Sequence, residues 1–292
     1  MILVRLEGGL GNQMFQYALG RTLALKNKSI VKVDTTFLLD RTPRGGFVFR
    51  NYDLDIFKTN ILIAERKEIP LLYRKYFNGR PALFADSFRK KIVKNPGKEK
   101  QFQFDPEILK LSDGTYLEGY WQSPKYFEAY ADIIKKDFEI REKLPKNAEA
   151  LRDKIMSLSS VCINVRRADF VSNPFHGTLG QEYFDKGIEI IARKEKQLSL
   201  FVFSDDIEWC KNNLKFKYPY EFIGHEYAGD KFQFYLELMK SCGHFIIPNS
   251  SFGWWAAWLS PSLNKVIIAP QRWFLDDRVN TKDLTPTSWI RI

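Results

Sequence analysis

The amino-acid sequence predicts an α/β chain built in two parts, and three observations carry that expectation. A short apolar segment, Ile2 to Leu6, runs into the glycine turn Gly8-Gly9-Leu10-Gly11 and then into a helical pattern, which is how α/β units begin. From Val161 to Ala269 short apolar runs alternate with amphipathic stretches, as they do when parallel strands are joined by right-handed helical crossovers. Between these regions the polar passage Arg141 to Asn147, with Pro145 inside it, reads as a linker and divides the chain into residues 1–145 and 146–292.

The elements follow in order. A helix is expected from about Gln13 to Lys26, because Phe15, Ala18, Leu19, Thr22 and Leu23 recur at helical spacing, and Ile30 to Asp34 gives a second strand. The stretch from Thr42 through Phe57 reads as irregular, whereas Tyr116 to Trp121 is expected as a strand and Lys125 to Phe138 as a helix. In the second part strands are expected at Val161 to Val165, Leu198 to Phe203, near Glu221 to Ile223, at His244 to Ile247 and at Val266 to Ala269. Helices are expected between them at Gln181 to Arg193, Asp206 to Asn213, Asp230 to Lys240 and Phe252 to Leu259. In a sheet of this kind the ligand crevice lies at the carboxyl ends of the strands, so the residues there are the candidates for function.

Composition narrows the class. With 292 residues, 45% hydrophobic and 27% charged, the chain has material for a sizeable core and is not disordered. Its 45 Lys and Arg against 35 Asp and Glu give a net charge of +10, which favours an anionic partner: a nucleotide diphosphate, nucleic acid or an acidic membrane surface. The runs Arg89-Lys90-Lys91 and Lys98-Glu99-Lys100 read as a solvated loop face, with a basic surface toward anionic lipid or an acidic glycan as the alternative. No stacking-aromatic pattern of an RNA-recognition module surrounds them. Cys162, Cys210 and Cys242 are an odd number without CxxC spacing, which argues against a disulfide framework or a zinc site and for a reducing compartment. The first residues lack the features of a signal peptide, and no window approaches the ~20 apolar residues that span a bilayer.

Four motifs could carry chemistry. In Asn164-Val165-Arg166-Arg167-Ala168-Asp169 a strand runs into two arginines, whose guanidinium forks suit phosphate oxygens at any working pH; the plainer reading is a surface arginine paired with Asp169. In Ser204-Asp205-Asp206 a strand end turns into a helix, where a polar side chain caps the helix and a carboxylate can also accept from the N–H groups of a guanine edge. In Asn249-Ser250-Ser251-Phe252-Gly253-Trp254-Trp255 hydroxyls and backbone N–H groups gather at a helix N-terminus that could bind an anion, or the serine simply caps it. Trp254, Trp255 and Trp258 read as packing rather than as sugar platforms. The turn Gly8-Gly9-Leu10-Gly11-Asn12-Gln13 has neither P-loop nor GxGxxG spacing and signals close backbone approach. His176, His225 and His244 show no metal-ligand spacing, and no GxSxG elbow occurs.

Together and in this order the four motifs resemble the inverting α-1,2-fucosyltransferase family of bacterial surface-glycan clusters, over nearly the whole chain. The resemblance implies a GT-B-like arrangement, two Rossmann-like halves with a cleft between them, GDP-fucose held mainly by the second half and an oligosaccharide acceptor reached from the first. It implies transfer of L-fucose with inversion to a galactose-type 2-hydroxyl, with no metal or cofactor beyond the donor, no nucleic-acid partner, and a cytoplasmic location extending to the inner face of the membrane. By the same resemblance Arg166 binds the diphosphate with Asp169 beside it as the second catalytic candidate, Asp205 lies close to the guanosine, and Asn249, Ser250, Ser251 and Phe252 line the phosphate side. Gly9, Gly11, Asn12 and Gln13 are the substrate-binding positions of the first half. One departure matters: Asn164 stands where the family's HxRRxD pattern has histidine, and an asparagine cannot act as a base, so its expected role is hydrogen bonding. Glu7, Asp34 and Asp169 are the carboxylates to test first as bases. The alternatives are another GDP-sugar transferase, such as one making an α-1,6 linkage, and a non-catalytic glycan-binding module.

Overall fold

In the computed structural model, which describes residues 1–43, 48–70 and 95–292, the strands form two separate sheets in which every neighbouring pair runs parallel. The chain separates into two compact units. The first comprises Met1–Arg141 with Asn280–Leu284, and the second comprises Glu142–Val279 with Thr285–Ile292.

The first unit contains β1 (Ile2–Arg5), α1 (Leu10–Lys26), β2 (Val31–Asp34), α2 (Thr36–Leu39), β3 (Leu62–Ile63), β4 (Asn95–Lys98), β5 (Thr115–Glu118) and α3 (Ala131–Asp137). Its sheet has the order β3-β2-β1-β5-β4. α1 starts three residues before its expected position, because Gly8, at φ +77, turns the chain sharply enough for Gly9 to serve as the N-cap. The helix expected from Lys125 to Phe138 is broken into two 3-10 turns, Pro124–Tyr126 and Glu128–Tyr130, ahead of α3. Phe127 leaves helical geometry at φ −139 and buries its ring completely, with its centroid 6.0 Å from that of Phe15.

The run Lys98-Glu99-Lys100 is not a loop face throughout. Lys98 ends β4, Glu99 N donates to Glu118 O, and the Glu99 carboxylate accepts from the N–H groups of Tyr120 and Trp121 at 2.8 and 3.0 Å, so only the flanking lysines are exposed. The run Arg89-Lys90-Lys91 lies outside the described residues.

The second unit contains α4 (Lys146–Met156), β6 (Ser160–Val165), α5 (Gln181–Ala192), β7 (Ser199–Ser204), α6 (Ile207–Asn213), β8 (Tyr220–Phe222), α7 (Gln233–Lys240), β9 (His244–Ile246), α8 (Ser251–Leu259), β10 (Ile267–Ala269) and β11 (Ile290–Arg291). The order β11-β10-β9-β6-β7-β8 is the doubly wound one: the chain builds outward from β6 to β8, then returns to the other flank of β6 with β9. All six residues of β6 are buried, as in a strand covered on both faces. Val161, Ile163 and Val165 pack with Phe184, Ile188 and Ile191 of α5. Each such side chain contributes about 1.5–3 kcal/mol over leaving it in water. Strand alternation sends Cys162 and Asn164 to the opposite face.

Candidate functional site

The return of the chain to β9 makes a topological switch point between β6 and β9, where adjacent loops leave in opposite directions and open a crevice at the carboxyl ends. Two of the motifs meet there. After β6 come Arg166 and Arg167; after β9 come Asn249 and Ser250, followed by α8. Asn164 joins them directly. It is 8% exposed, its Nδ2 donates to Phe203 O at 3.3 Å, and its Oδ1 lies against α8, where a Cβ added to Gly253 would be only 2.5 Å away.

Arg166 is held from two sides. Its Nη2 donates to Asp169 Oδ1, and its Nη1 lies 2.8 Å from Asp205 Oδ2 in an ion pair without hydrogen-bond alignment. Asp205 Oδ1 accepts from Arg167 N at 2.9 Å, so the end of β7 fixes both the backbone and the guanidinium that follow β6. Arg166 also lies over the ring of Phe170 at 5.1 Å, and Phe170 stacks on His176 with centroids 4.3 Å apart and planes within 5°. Burial pushes the His176 imidazole below its ordinary pKa; the Asp169 charge works against that and the Arg166 charge with it. Neither Phe170 nor His176 was singled out by a motif: they reach the site through a loop whose only sequence signal is its position after the RRxD run.

Arg167 turns elsewhere. Its guanidinium lies 3.5 Å over the Trp209 ring and its Nε is 3.4 Å from Asp206 Oδ2. Asp206 Oδ1 accepts from Trp209 N, which makes it the N-cap of α6, and Asp205 is the carboxylate of the pair that meets Arg166.

At α8 the capping alternative does not hold. Ser250 occupies the N-cap position in extended geometry, yet its side chain makes no cap hydrogen bond, so the first-turn N–H groups are not taken up by its hydroxyl. Ser251 and Phe252 are half-buried in that first turn. Asn249 is 4% exposed and donates through Nδ2 to His176 O at 2.8 Å and Trp273 O at 3.1 Å, while its Oδ1 finds no partner among the described residues. It clamps two loops to the serine turn. Trp254 and Trp255 are fully buried and serve as packing.

The glycine-turn residues lie in the first unit, at its own switch point between β1 and β5. Asn12 is half-buried and its Oδ1 accepts from Gln122 Nε2 at 2.8 Å. Gly9 is half-buried and Gly11 is buried inside α1. Gln13 departs from its expected role as a substrate contact: it is fully buried, donates to Gly8 O and Asn51 O, and accepts from Asp53 N. Both of its amide hydrogens are committed to backbone, and it ties the glycine turn to the irregular stretch beyond it. Asp34 is likewise spent, fully buried and accepting from Thr36 N and the Tyr116 hydroxyl at 2.8 and 2.7 Å, while Glu7 is ion-paired with Arg5 at 3.3 Å. Among the described residues no group of three or more His, Cys, Asp or Glu could hold a metal ion, and no helix is long and apolar enough to cross a membrane.

Comparison with known proteins places the chain in a family. The sequence profile described as "Glycosyl transferase family 11" matches residues 83–292. An alpha-1,2-colitosyltransferase of Escherichia coli is 32% identical, with 100% of this chain and 99% of the relative aligned. The Escherichia coli O-antigen biosynthesis glycosyltransferase WbnK is 31% identical, with 98% of this chain and 99% of the relative aligned. A Caenorhabditis elegans galactoside 2-alpha-L-fucosyltransferase is 23% identical across 100% of this chain and 79% of its own length. Among solved structures, a mutant of Arabidopsis thaliana FUT1 in complex with GDP shares the fold with a TM-score of 0.52, at 13% identity, over 99% of this chain and 75% of that one. The two Rossmann-like halves are therefore of the GT-B class.

Proposed function

The chain belongs to glycosyl transferase family 11, and from that premise we propose that it moves L-fucose from GDP-fucose to a galactose-type 2-hydroxyl of an acceptor glycan, with inversion. That it is a glycosyltransferase follows from the family; donor, linkage and acceptor are the proposal. The observation that carries it is the switch point of the second unit, where Arg166, held by two carboxylates, and the uncapped first turn of α8 stand at the ends of adjacent strands. A guanidinium and unpaired backbone N–H groups are what a departing diphosphate needs.

In this reading the bond between the anomeric carbon and the diphosphate oxygen breaks while the acceptor hydroxyl oxygen bonds to that carbon from the opposite face, and the hydroxyl proton is given up to solvent or to the departing diphosphate. Negative charge grows on the leaving group, and fixed donors that need no reorganisation lower the barrier. Arg166 and the α8 turn supply those donors, with Ser250, Ser251 and Phe252 lining them. Asp169, ion-paired with Arg166, holds the guanidinium in place. Asn12 and Gly9 belong to the acceptor side. Three free, buried cysteines fit action in a reducing, cytoplasmic compartment.

The relative named as a colitosyltransferase favours a second reading, in which the same site takes the GDP derivative of colitose, a deoxygenated analogue of L-fucose. A donor panel of GDP-fucose and GDP-colitose with a galactoside acceptor decides between them by which sugar appears on the product. Arg166→Lys is the test of the site: an ammonium cannot reproduce the guanidinium fork, so kcat/KM should fall at least about tenfold in a variant that unfolds at the parental temperature. Parental kinetics in that variant would move the diphosphate elsewhere.

A further inference from the structure

The carboxyl end of β8 carries two exposed rings that the diphosphate site does not use. His225 opens the 3-10 turn His225–Tyr227 just beyond β8, and its Nε2 lies 2.9 Å from Ser204 O at the end of the neighbouring strand β7. A carbonyl oxygen only accepts, so Nε2 carries a proton, and in that tautomer the lone pair is on Nδ1. Among the described residues that lone pair meets no donor.

Phe232 stands beside it, with ring centroids 5.8 Å apart and planes at 75°, and both rings pack edge-on against the buried Tyr235. Phe232 remains 37% exposed although its backbone is left-handed, at φ 59. That conformation strains a bulky residue, and a ring so exposed returns little to the core in compensation; strain of this sort gathers at binding sites.

In a doubly wound sheet the ligand lies in the switch-point crevice at the carboxyl ends of the strands, and a residue at the end of a neighbouring strand reaches its nucleoside. Here that strand is β7, which ends in Ser204 and is followed by Asp205, with β8 and His225 beside it. Guanine presents two adjacent donors, N1–H and the 2-amino group, and therefore asks for two acceptors; adenine presents an acceptor at N1.

We propose that His225 and Phe232 form the guanine-reading face of the donor site, with Phe232 as stacking surface and His225 Nδ1 as the acceptor that complements the Asp205 carboxylate. This rests on the donor being a GDP-sugar. A carboxylate has room for about four hydrogen bonds, so Asp205 can accept from the base while holding Arg166 and Arg167.

The test is calorimetric titration of GDP and of ADP into the full chain, for the parent, His225→Ala and Phe232→Asn. The parent should prefer GDP. His225→Ala should weaken GDP about fivefold and leave ADP unchanged, because one neutral hydrogen bond to guanine is lost. Phe232→Asn should weaken both nucleotides together, by about tenfold, because stacking does not distinguish bases. Its unfolding temperature should be kept or raised, since asparagine tolerates the left-handed region, and a merely structural Phe232 would not separate stability from binding in this way. A parent that binds GDP while both variants retain its affinities overturns the inference alone. A parent that does not bind GDP overturns the donor reading and the inference with it.

Discussion

A Cβ placed on Gly253 would lie 2.5 Å from Asn164 Oδ1 and 3.3 Å from Pro248 Cδ, closer than any real contact of that kind in the first case. Asn164 cannot yield easily, being buried with its Nδ2 committed to Phe203 O. The asparagine at the family's histidine position is thus part of how α8 is seated on β6, which gives it a steric duty besides hydrogen bonding. Gly253→Ala should cost about 1–3 kcal/mol through overpacking and lower donor affinity by displacing the first turn of α8. Combining it with Asn164→Ala should recover part of that loss, because the clashing oxygen is gone. Thermal unfolding of the two single variants and the double variant checks this, and strict additivity of the two effects would contradict it.

At the level of elements, the ends of β4 and β5 are joined by one carboxylate. Glu99 accepts the N–H groups of Tyr120 and Trp121 and so holds the turn after β5, in which Trp121 takes a left-handed backbone at φ 57. Burial pushes the Glu99 carboxyl above its ordinary pKa, with the nearby Glu7 charge in the same direction and the two backbone donors opposing it. A carboxyl raised in the folded state contributes stability that is fully present below its unfolded pKa of ~4.3 and is lost as the pH rises through the folded value. The unfolding temperature of the parent, measured relative to that of Glu99→Gln, should accordingly decline as the pH rises above about 4. A difference that stays flat, or rises, would mean that the backbone donors outweigh burial at this carboxyl.

For the molecule as a whole, the chain does not pass once from one unit to the other. Asn280–Leu284 belongs to the first unit, and the chain then returns to add β11 to the edge of the second sheet. The returning segment is fastened by Ser123 Oγ, fully buried, which donates to Asp283 O at 2.6 Å, and by Lys125, 2.6 Å from Asp283 Oδ1. Ser123→Ala leaves that carbonyl without its donor and should destabilise by about 1–3 kcal/mol, whereas the half-exposed Lys125 should matter less. Thermal unfolding of Ser123→Ala and Lys125→Ala ranks the two; equal, negligible losses would mean that the segment is held by other contacts.

Much of this architecture was legible in the sequence because its signals are local. The apolar run and glycine turn at Ile2 to Gly11, each strand or helix of the alternation from Val161 to Ala269 and the polar residues at strand ends show locally, as apolar runs, period-3.6 patterns and turn chemistry. They determined the α/β class, most of the second unit's elements and the motifs that gather at its crevice. The two-residue strand β11, the return of Asn280–Leu284 and the interior place of Glu99 left no such trace, since each depends on a partner far along the chain. Only the tertiary structure decided that β9 lies beside β6, that Asn164 meets Gly253, that Gln13 is spent on backbone, and that His225 stands at Ser204. The physical reason is that pairing between distant strands is selected by the burial of whole faces, and a single segment carries no record of which other segment will cover it.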